Sequence, residues 1–323
     1  MTLDADIMAA AMTQFPSDEW LEGIRAADVA VELIAPLGDL LRHEQTEANG
    51  FVVEVDDPVW GPTRQAAPPF GTDPPMRVRW PAPRLGEHAD ELAALIAGRT
   101  DDSGAPAGDG KGHVPAGDGK GRTWPFEGLH VLDLGAFLAG PMGPMLLGDL
   151  GAAVIKVEPV TGDPVRGWRD EFYIACNRSK RGIALDITQP EGTEVLRRLV
   201  EWADVVHHNV RSKASARLGI DEAGVRAVNP DAVFCHGTAY GTAAGPRAAW
   251  PGYDSVFQAM SGWNVELAGE GNGPLFNHMG NLDTMTGTAS AVATLLALYQ
   301  RERTGRASAA HFALLNTATF SKQ

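Results

Sequence analysis

Residues 126–158, FEGLHVLDLGAFLAGPMGPMLLGDLGAAVIKVE, decide the fold because strand and helix signals alternate along them. The apolar run HVLDL (130–134) predicts a buried strand, and AVIKVE (153–158) predicts a second one. Between them lie a glycine-bearing turn, GAFLAGP (135–141), and an apolar helix, PMGPMLLGDLG. A strand–helix–strand unit of this kind predicts a parallel sheet with helices packed on its faces.

The same alternation continues toward the C-terminus. The later elements are a helix at about 190–202, strands at 204–208 and 232–237, and a long helix at about 284–302. Thr188 with Glu191 reads as a capping box at the start of the first of these helices. We therefore expect residues 123–323 to form a Rossmann-like α/β domain, with helices on both faces of a parallel sheet. Ligands of such sheets bind at the carboxyl ends of strands, which here are the turns after Leu134, Glu158, His208 and His236.

Residues 1–98 form a separate block in the sequence. Trp20, Leu21 and Ile24 fall on one face of a helix after Ser17, and FVVEV (51–55) predicts a short strand. A proline-rich path follows that cannot be regular helix, and ADELAALIA then predicts a closing helix.

Residues 99–122 read as a linker. The heptapeptide PAGDGKG occurs twice, at 106–112 and 115–121. A phosphate-binding loop needs GxxxxGK followed by Ser or Thr, after a strand, and neither copy meets this requirement. The Gly, Pro and Asp content instead predicts a flexible spacer.

The composition excludes several classes of function. The formal net charge is −14, so a nucleic-acid partner is not expected. Cys176 and Cys235 show no CxxC or Cys/His pattern, which predicts no metal site and a reducing compartment. The N-terminus lacks the pattern of a signal peptide, and no apolar run is long enough to span a bilayer. The sequence thus predicts a cytoplasmic protein without a membrane partner.

Two polar features are candidate sites, and each has a structural alternative. Arg178, Lys180 and Arg181 cluster in CNRSKRGIALD (176–186), which is either a solvated surface turn or a site for phosphate groups. Asp283 stands just before the long final helix, where an aspartate commonly caps the helix. The helix end would also keep this carboxylate ionised by lowering its pKa, as a nucleophile requires.

Four scattered histidines receive no catalytic assignment. They are His207, His208, His236 and His278, and no HExxH or triad-like pattern links them. Single histidines of this kind are usually structural.

Seven ordered motifs in residues 126–317 resemble the family III CoA-transferases, the group containing formyl-CoA transferase and carnitine CoA-transferase. They are FEGLHVLDLGAFLAGP, LLGDLGAAVIKVEPVTGDPVRGW, NRSKRGIALDI, ADVVHHNVRSKASARLGID, NPDAVFCHGTAYGTAAGP, GYDSVFQAMSG and LDTMTGTASAVATLLALYQRERTGR. The first block resembles the C-terminal end of the same family, through EWLEGIRAADVAVELIAPLGDLL, GFVVEV, GPTRQAAPPF and APRLGEHADELAAL. The family's closing segment therefore precedes its opening segment here, and the smaller domain between them is largely missing. We expect a segment of a tandem protein, with a circular permutation as the alternative.

The resemblance implies an enzyme of acyl-CoA metabolism in which Asp283 is the nucleophile. It implies CoA contacts at Phe137, Ala139, Leu185, Asn209, Val210, Arg217 and Leu218. One CoA-contacting arginine of the family is replaced by Pro159. The implied substrates are an acyl-CoA and a carboxylic acid, with CoA as substrate and no metal or redox cofactor. The implied assembly is an interlocked homodimer or a pairing of tandem copies.

Two other functions remain open at this point. An α-methylacyl-CoA racemase has the same fold, but such racemases carry a histidine where GYDSVFQAMSG has Tyr253. Because the pKa of tyrosine is near 10, it is a poor base at neutral pH. The other alternative is a catalytically silent half that binds CoA within a tandem protein.

Overall fold

The computed structural model describes residues 5–71, 78–96, 124–242 and 245–321. It divides the chain into two units, residues 1–52 and residues 53–323. The expected spacer at 99–122 lies outside the described residues. Among the helices that are described, none has the length and apolar character needed to cross a membrane.

The first unit is helical. Its elements are α1 (Ala5–Met12), α2 (Ser17–Ala26), a 3-10 helix (Asp39–Arg42) and α3 (Glu44–Ala48). Helix α2 begins where the sequence predicts it. Asp18 and Glu19 lie in its first turn and Arg25 in its last, so these charges complement the helix dipole.

The second unit contains a parallel sheet and its covering helices. A two-stranded sheet at its beginning consists of β1 (Val52–Asp57) and β2 (Gly61–Ala66). The large sheet consists of β3 (His130–Asp133), β4 (Ala153–Glu158), β5 (Lys180–Ala184), β6 (Val205–His208), β7 (Val233–Thr238) and β8 (Ala309–Ala313). The helices are α4 (Ala89–Ile96), α5 (Ala139–Asp149), α6 (Asp170–Asn177), α7 (Pro190–Trp202), α8 (Ser212–Arg217), α9 (Glu222–Val228), α10 (Asp254–Ser261), α11 (Trp263–Ala268), α12 (Asn281–Thr304) and α13 (Leu314–Phe320).

The strand order of the large sheet is β5-β4-β3-β6-β7-β8, and neighbouring strands pair in parallel. From β3 the chain adds β4 and β5 on one side of the sheet. It then crosses back and adds β6, β7 and β8 on the other side. The direction of winding therefore reverses between β3 and β6, which creates a crevice at their carboxyl ends. The predicted α/β fold with a parallel sheet is confirmed.

Apolar side chains cover both faces of the sheet. Leu132 faces a cluster with Leu196 and Leu199 of α7, and its neighbour Val131 faces Leu147 of α5 on the other side. Both faces of these strands are therefore buried, which explains why the sequence shows apolar runs where a strand buried on one face would alternate apolar and polar residues. Helix α7 buries Leu196, Leu199 and Val200 on one face.

The predicted capping box at α7 is wrong. Gln189 is the N-cap residue and makes no side-chain cap bond, and Pro190 occupies the first turn. The hydroxyl of Thr188 instead donates to the Asp186 carboxylate at 2.6 Å. The helix begins one residue later than a capping box at Thr188 requires.

Helices α5 and α12 approach each other through glycines. A Cβ atom added at Gly143 would lie 2.1 Å from the Ser290 hydroxyl, and one at Gly287 would lie 2.6 Å from Met142 Cβ. Only glycine at these two positions permits the observed separation of the helices.

The basic cluster before and within β5 is internal. Arg178 and Lys180 are 2% and 0% exposed. Arg178 donates to the Asp149 carboxylate at 2.9 Å, and Lys180 donates to the Asp133 carboxylate at 2.7 Å. Both earlier interpretations are wrong for these two cations: they lie neither on a solvated turn nor in an open phosphate site.

The same cluster ties the segment before the sheet to the sheet itself. Arg178 also donates to the carbonyl of Ala66 at 2.8 Å, and the Trp80 indole donates to the carbonyl of Lys180 at 2.9 Å. Arg181 forms an ion pair with Glu91 of α4. These contacts therefore join residues that are about 100 positions apart in the chain.

Candidate active site

An asparagine joins the two turns at the crevice between β3 and β6. The side-chain oxygen of Asn209 accepts from the backbone N–H of Ala136 at 2.9 Å, and its amide donates to the carbonyl of Ala136 at 2.9 Å. A Cβ at Gly140 would lie 2.6 Å from the Asn209 side chain, so glycine is required there. Four of the residues predicted to contact CoA are thus brought together: Phe137, Ala139, Asn209 and Val210.

The remaining predicted CoA contacts lie beside this crevice. Leu185 follows β5, and its backbone N–H donates to the carbonyl of Glu158 at 2.9 Å. Leu185, Val210 and Leu218 all pack against the same apolar cluster. Arg217 ends α8 and is exposed, as is Pro159 after β4. The role of these residues in CoA binding stays a prediction.

Asp283 lies in the first turn of α12, close to the turn after β3. The helix is preceded by Gly280, whose φ of +67° is left-handed. A Cβ at Gly280 would lie 2.7 Å from a methyl carbon of Leu138, so glycine lets the helix start approach this turn. The nucleophile candidate and the crevice therefore belong to one region of the surface.

Asp254 caps this helix, and Asp283 does not. One carboxylate oxygen of Asp254 accepts from the backbone N–H of Leu282 at 2.7 Å and of Asp283 at 3.1 Å. The buried amide of Gln258 donates to the other oxygen of Asp254. The interpretation of Asp283 as a cap is wrong, since Asp254 in the motif GYDSVFQAMSG takes that role. No pattern in the sequence around Asp254 indicates this capping role, because the helix that it caps begins 27 positions later.

The pKa of Asp283 is shifted opposite to the expected direction. Burial, followed by the negative charge of Asp254, raises the pKa of Asp283 to about 7. Hydrogen bonds from the start of the helix do not lower the pKa of Asp283 again, because the backbone N–H groups of Leu282 and Asp283 donate to Asp254. No donor within the described residues bonds to the Asp283 carboxylate, which leaves both of its oxygens free for chemistry.

The buried histidines of β6 are neutral. Burial lowers the pKa of His207 to about 4 and that of His208 to about 3. Both rings lie inside the sheet layers, His207 stacked on Phe312 and His208 beside His236.

A family model described as CoA-transferase family III matches residues 2–89 and 126–322. The chain belongs to this family. Its two matched segments correspond to the two parts of the sequence that resemble the family, on either side of the expected spacer.

Similar proteins fall in the same group. A succinate–glutarate CoA-transferase of Agrobacterium fabrum is 38% identical over 210 residues, which are 60% of this chain and 52% of the relative. The CoA-transferase/lyase DddD of a Marinomonas species is 28% identical over 313 residues, 94% of this chain and 36% of that protein. The crystal structure of a CaiB/BaiF family protein from Brucella suis superposes with a TM-score of 0.57 at 37% identity, covering 62% of this chain and 55% of that one. The chain spans about half the length of the first of these relatives.

The raised pKa of Asp283 predicts a pH-dependent rate in this family III chain. If Asp283 is the nucleophile, as the family resemblance implies, it must be ionised to react, and the rate of acyl transfer should then rise with pH and reach half its maximum near pH 7. Asp254→Asn removes the neighbouring negative charge and should move this midpoint to lower pH. The pH profile of kcat in the intact protein measures both midpoints.

Asp221 offers a matched control for that experiment. It also caps a helix, α9, by accepting from the backbone N–H of Gly224 at 3.0 Å. Asp221→Asn should leave the midpoint unchanged. An unchanged midpoint in Asp254→Asn as well would show that Asp254 does not set the ionisation of Asp283.

Proposed function

We propose that the protein transfers CoA between an acyl-CoA and a carboxylic acid through a covalent intermediate on Asp283. One observation carries the proposal: a half-buried carboxylate with free oxygens lies beside the crevice between β3 and β6. Family membership and the named CoA-transferases among the relatives support the same reaction class. CoA is a substrate in this proposal, and no metal or redox cofactor takes part.

The proposed reaction proceeds by exchange of acyl bonds on Asp283. Its carboxylate attacks the thioester carbonyl, forming an acyl–aspartyl anhydride and releasing CoA thiolate. The thiolate then attacks the aspartyl carbonyl, which frees the first acid and leaves an aspartyl–CoA thioester. The acceptor carboxylate attacks this thioester, expelling CoA thiolate and forming an anhydride between Asp283 and the acceptor. The thiolate then attacks the acceptor carbonyl of this anhydride, which gives the new acyl-CoA and restores the Asp283 carboxylate.

Oxyanions form at each of these steps and need hydrogen-bond donors. Backbone N–H groups near Gly280 are the proposed donors. The amides of Leu282 and Asp283 are already bound to Asp254. The proposed donors therefore lie in the turn that precedes them, where the amide of Met279 is already bound to the Asn277 side chain.

The order of segments supports a tandem arrangement of the intact protein. The relative DddD aligns with 94% of this chain in a single alignment, although that alignment covers only 36% of its own length. We infer that the end of one family III copy is followed here by the start of another. In this arrangement a second copy, in the same chain or in a partner, would supply the smaller domain of the site.

An exchange assay tests the proposed function. The intact protein should move CoA from an acyl-CoA to an isotopically labelled carboxylic acid, giving labelled acyl-CoA detectable by mass spectrometry. A racemase would instead exchange the α-proton of 2-methylacyl-CoA with deuterium from the solvent. Binding of CoA without either exchange would favour the catalytically silent half.

A further inference from the structure

The turn after β3 contains a residue in a strained conformation. Phe137 has a φ of +65°, in the left-handed region that side chains other than glycine rarely adopt. Such a conformation costs free energy and persists only where its surroundings hold it. The neighbouring groups must therefore supply a restraint.

A buried ion pair supplies this restraint. The Asp163 carboxylate accepts from the backbone N–H of Phe137 at 3.2 Å and from Lys156 Nζ at 3.1 Å. Lys156 in turn donates to the carbonyl of Gly135 at 2.7 Å. Together the two side chains fix the backbone on both sides of Ala136.

The ion pair is itself held firmly. Lys156 and Asp163 are 1% and 3% exposed, and the backbone N–H of Asp163 donates to the Glu158 carboxylate at 2.9 Å. Burial alone would lower the pKa of Lys156, yet the carboxylates of Asp133, Asp163 and Glu158 together raise it. Lys156 is therefore charged, and the pair resists distortion because breaking it would leave a lone buried charge.

The strained turn is in contact with the segments around the nucleophile. The ring of Phe137 meets the ring of Tyr253 edge to face, with centroids 5.6 Å apart. Tyr253 directly precedes Asp254, the residue that binds the start of α12. The next residue of the turn, Leu138, packs against Gly280.

We propose that Lys156 and Asp163 are positioning residues that hold Phe137 in its left-handed conformation and so place bound CoA against Asp283. Neither side chain touches the substrate. This inference rests on the proposed function, since it assigns the turn after β3 to the CoA thioester. If the inference is right, the effect of Asp163 on CoA binding depends on which residue is at position 137.

A double-mutant cycle tests this dependence. Asp163→Ala should weaken CoA binding about tenfold by calorimetry and lower kcat by about 100-fold, because a misplaced thioester reacts slowly. Glycine adopts a positive φ without restraint, so in a Phe137→Gly background Asp163→Ala should change the CoA dissociation constant less than about twofold. Asp163→Asn retains an acceptor for the Phe137 amide and should bind CoA more tightly than Asp163→Ala.

Asp149→Asn is the matched control, because it disturbs a different buried ion pair. It should lower the unfolding temperature while leaving the CoA dissociation constant of the folded protein unchanged. Equal effects of Asp163→Ala in both backgrounds would overturn the positioning role and leave Asp163 with a purely structural one. A wild-type protein that binds CoA but exchanges no acyl group would overturn the proposed function. The double-mutant cycle, measured through the CoA dissociation constant, would still decide whether Asp163 has the positioning role.

Discussion

Asp283→Ala is expected to lower the rate of CoA exchange by at least about 1,000-fold while CoA still binds, because the covalent route loses its nucleophile. Hydroxylamine added during turnover should cleave the wild-type intermediate and modify Asp283 alone, as read by peptide mass spectrometry. The Asp221→Asn variant, which alters another carboxylate at a helix start, should retain wild-type exchange. Wild-type rates in Asp283→Ala would rule out the nucleophilic role.

Asp283 should also lower the free energy of unfolding at neutral pH. Its folded-state pKa of about 7 lies above the ordinary value of 3.8, so the folded protein binds this proton more tightly than the unfolded chain. The free energy of unfolding should therefore fall as the pH rises from about 4 through about 7. Asp283→Asn cannot ionise, so this variant should not lose stability in the same way. Its unfolding temperature should exceed that of the wild-type protein at pH 8 but not at pH 4.

Arg178→Ala, just before β5, is expected to be strongly destabilising. It leaves the carboxylate of Asp149 buried without its cation, which typically costs about 3–5 kcal/mol. For a domain of this size the unfolding temperature should fall by roughly 10 °C. Thermal or urea unfolding of the intact protein measures the change.

An exposed arginine provides the control for that loss. Arg197 pairs with Glu194 and Glu201 on the surface of α7. Arg197→Ala should cost less than about 1 kcal/mol, as exposed ion pairs generally do. An equal decrease in the free energy of unfolding in Arg178→Ala and Arg197→Ala would contradict the structural role of Arg178.

The sheet could be predicted where apolar residues predominate in the strands. AVIKVE and HVLDL become β4 and β3 because both faces of these strands are covered by helices. The strand β5 was not predicted, since KRGIA begins with two cations, and only the structure brings the Asp133 carboxylate to Lys180. Strand β8 was missed for a related reason, because AAHFA is short and carries a histidine.

The candidate nucleophile could be predicted, but its electrostatic environment could not. Asp283 was found from its motif and its place before a long helix. Asp254 lies 29 positions earlier, and no local pattern shows that its carboxylate would bind the amides of this helix. The raised pKa of Asp283 depends on burial and on that long-range contact, and neither can be deduced from the residues next to Asp283.

The glycine-mediated crossing of α5 and α12 has a mechanical consequence. Helix α5 begins at the turn predicted to hold CoA, and the first turn of α12 contains Asp283, the proposed nucleophile. Because no side chain fits at Gly143 or Gly287, the two helices are closely packed, and we expect them to move as one rigid body. If substrates bind beside Asp283, we expect their entry and release to depend on movement of other segments around Asp283, and not on separation of α5 and α12.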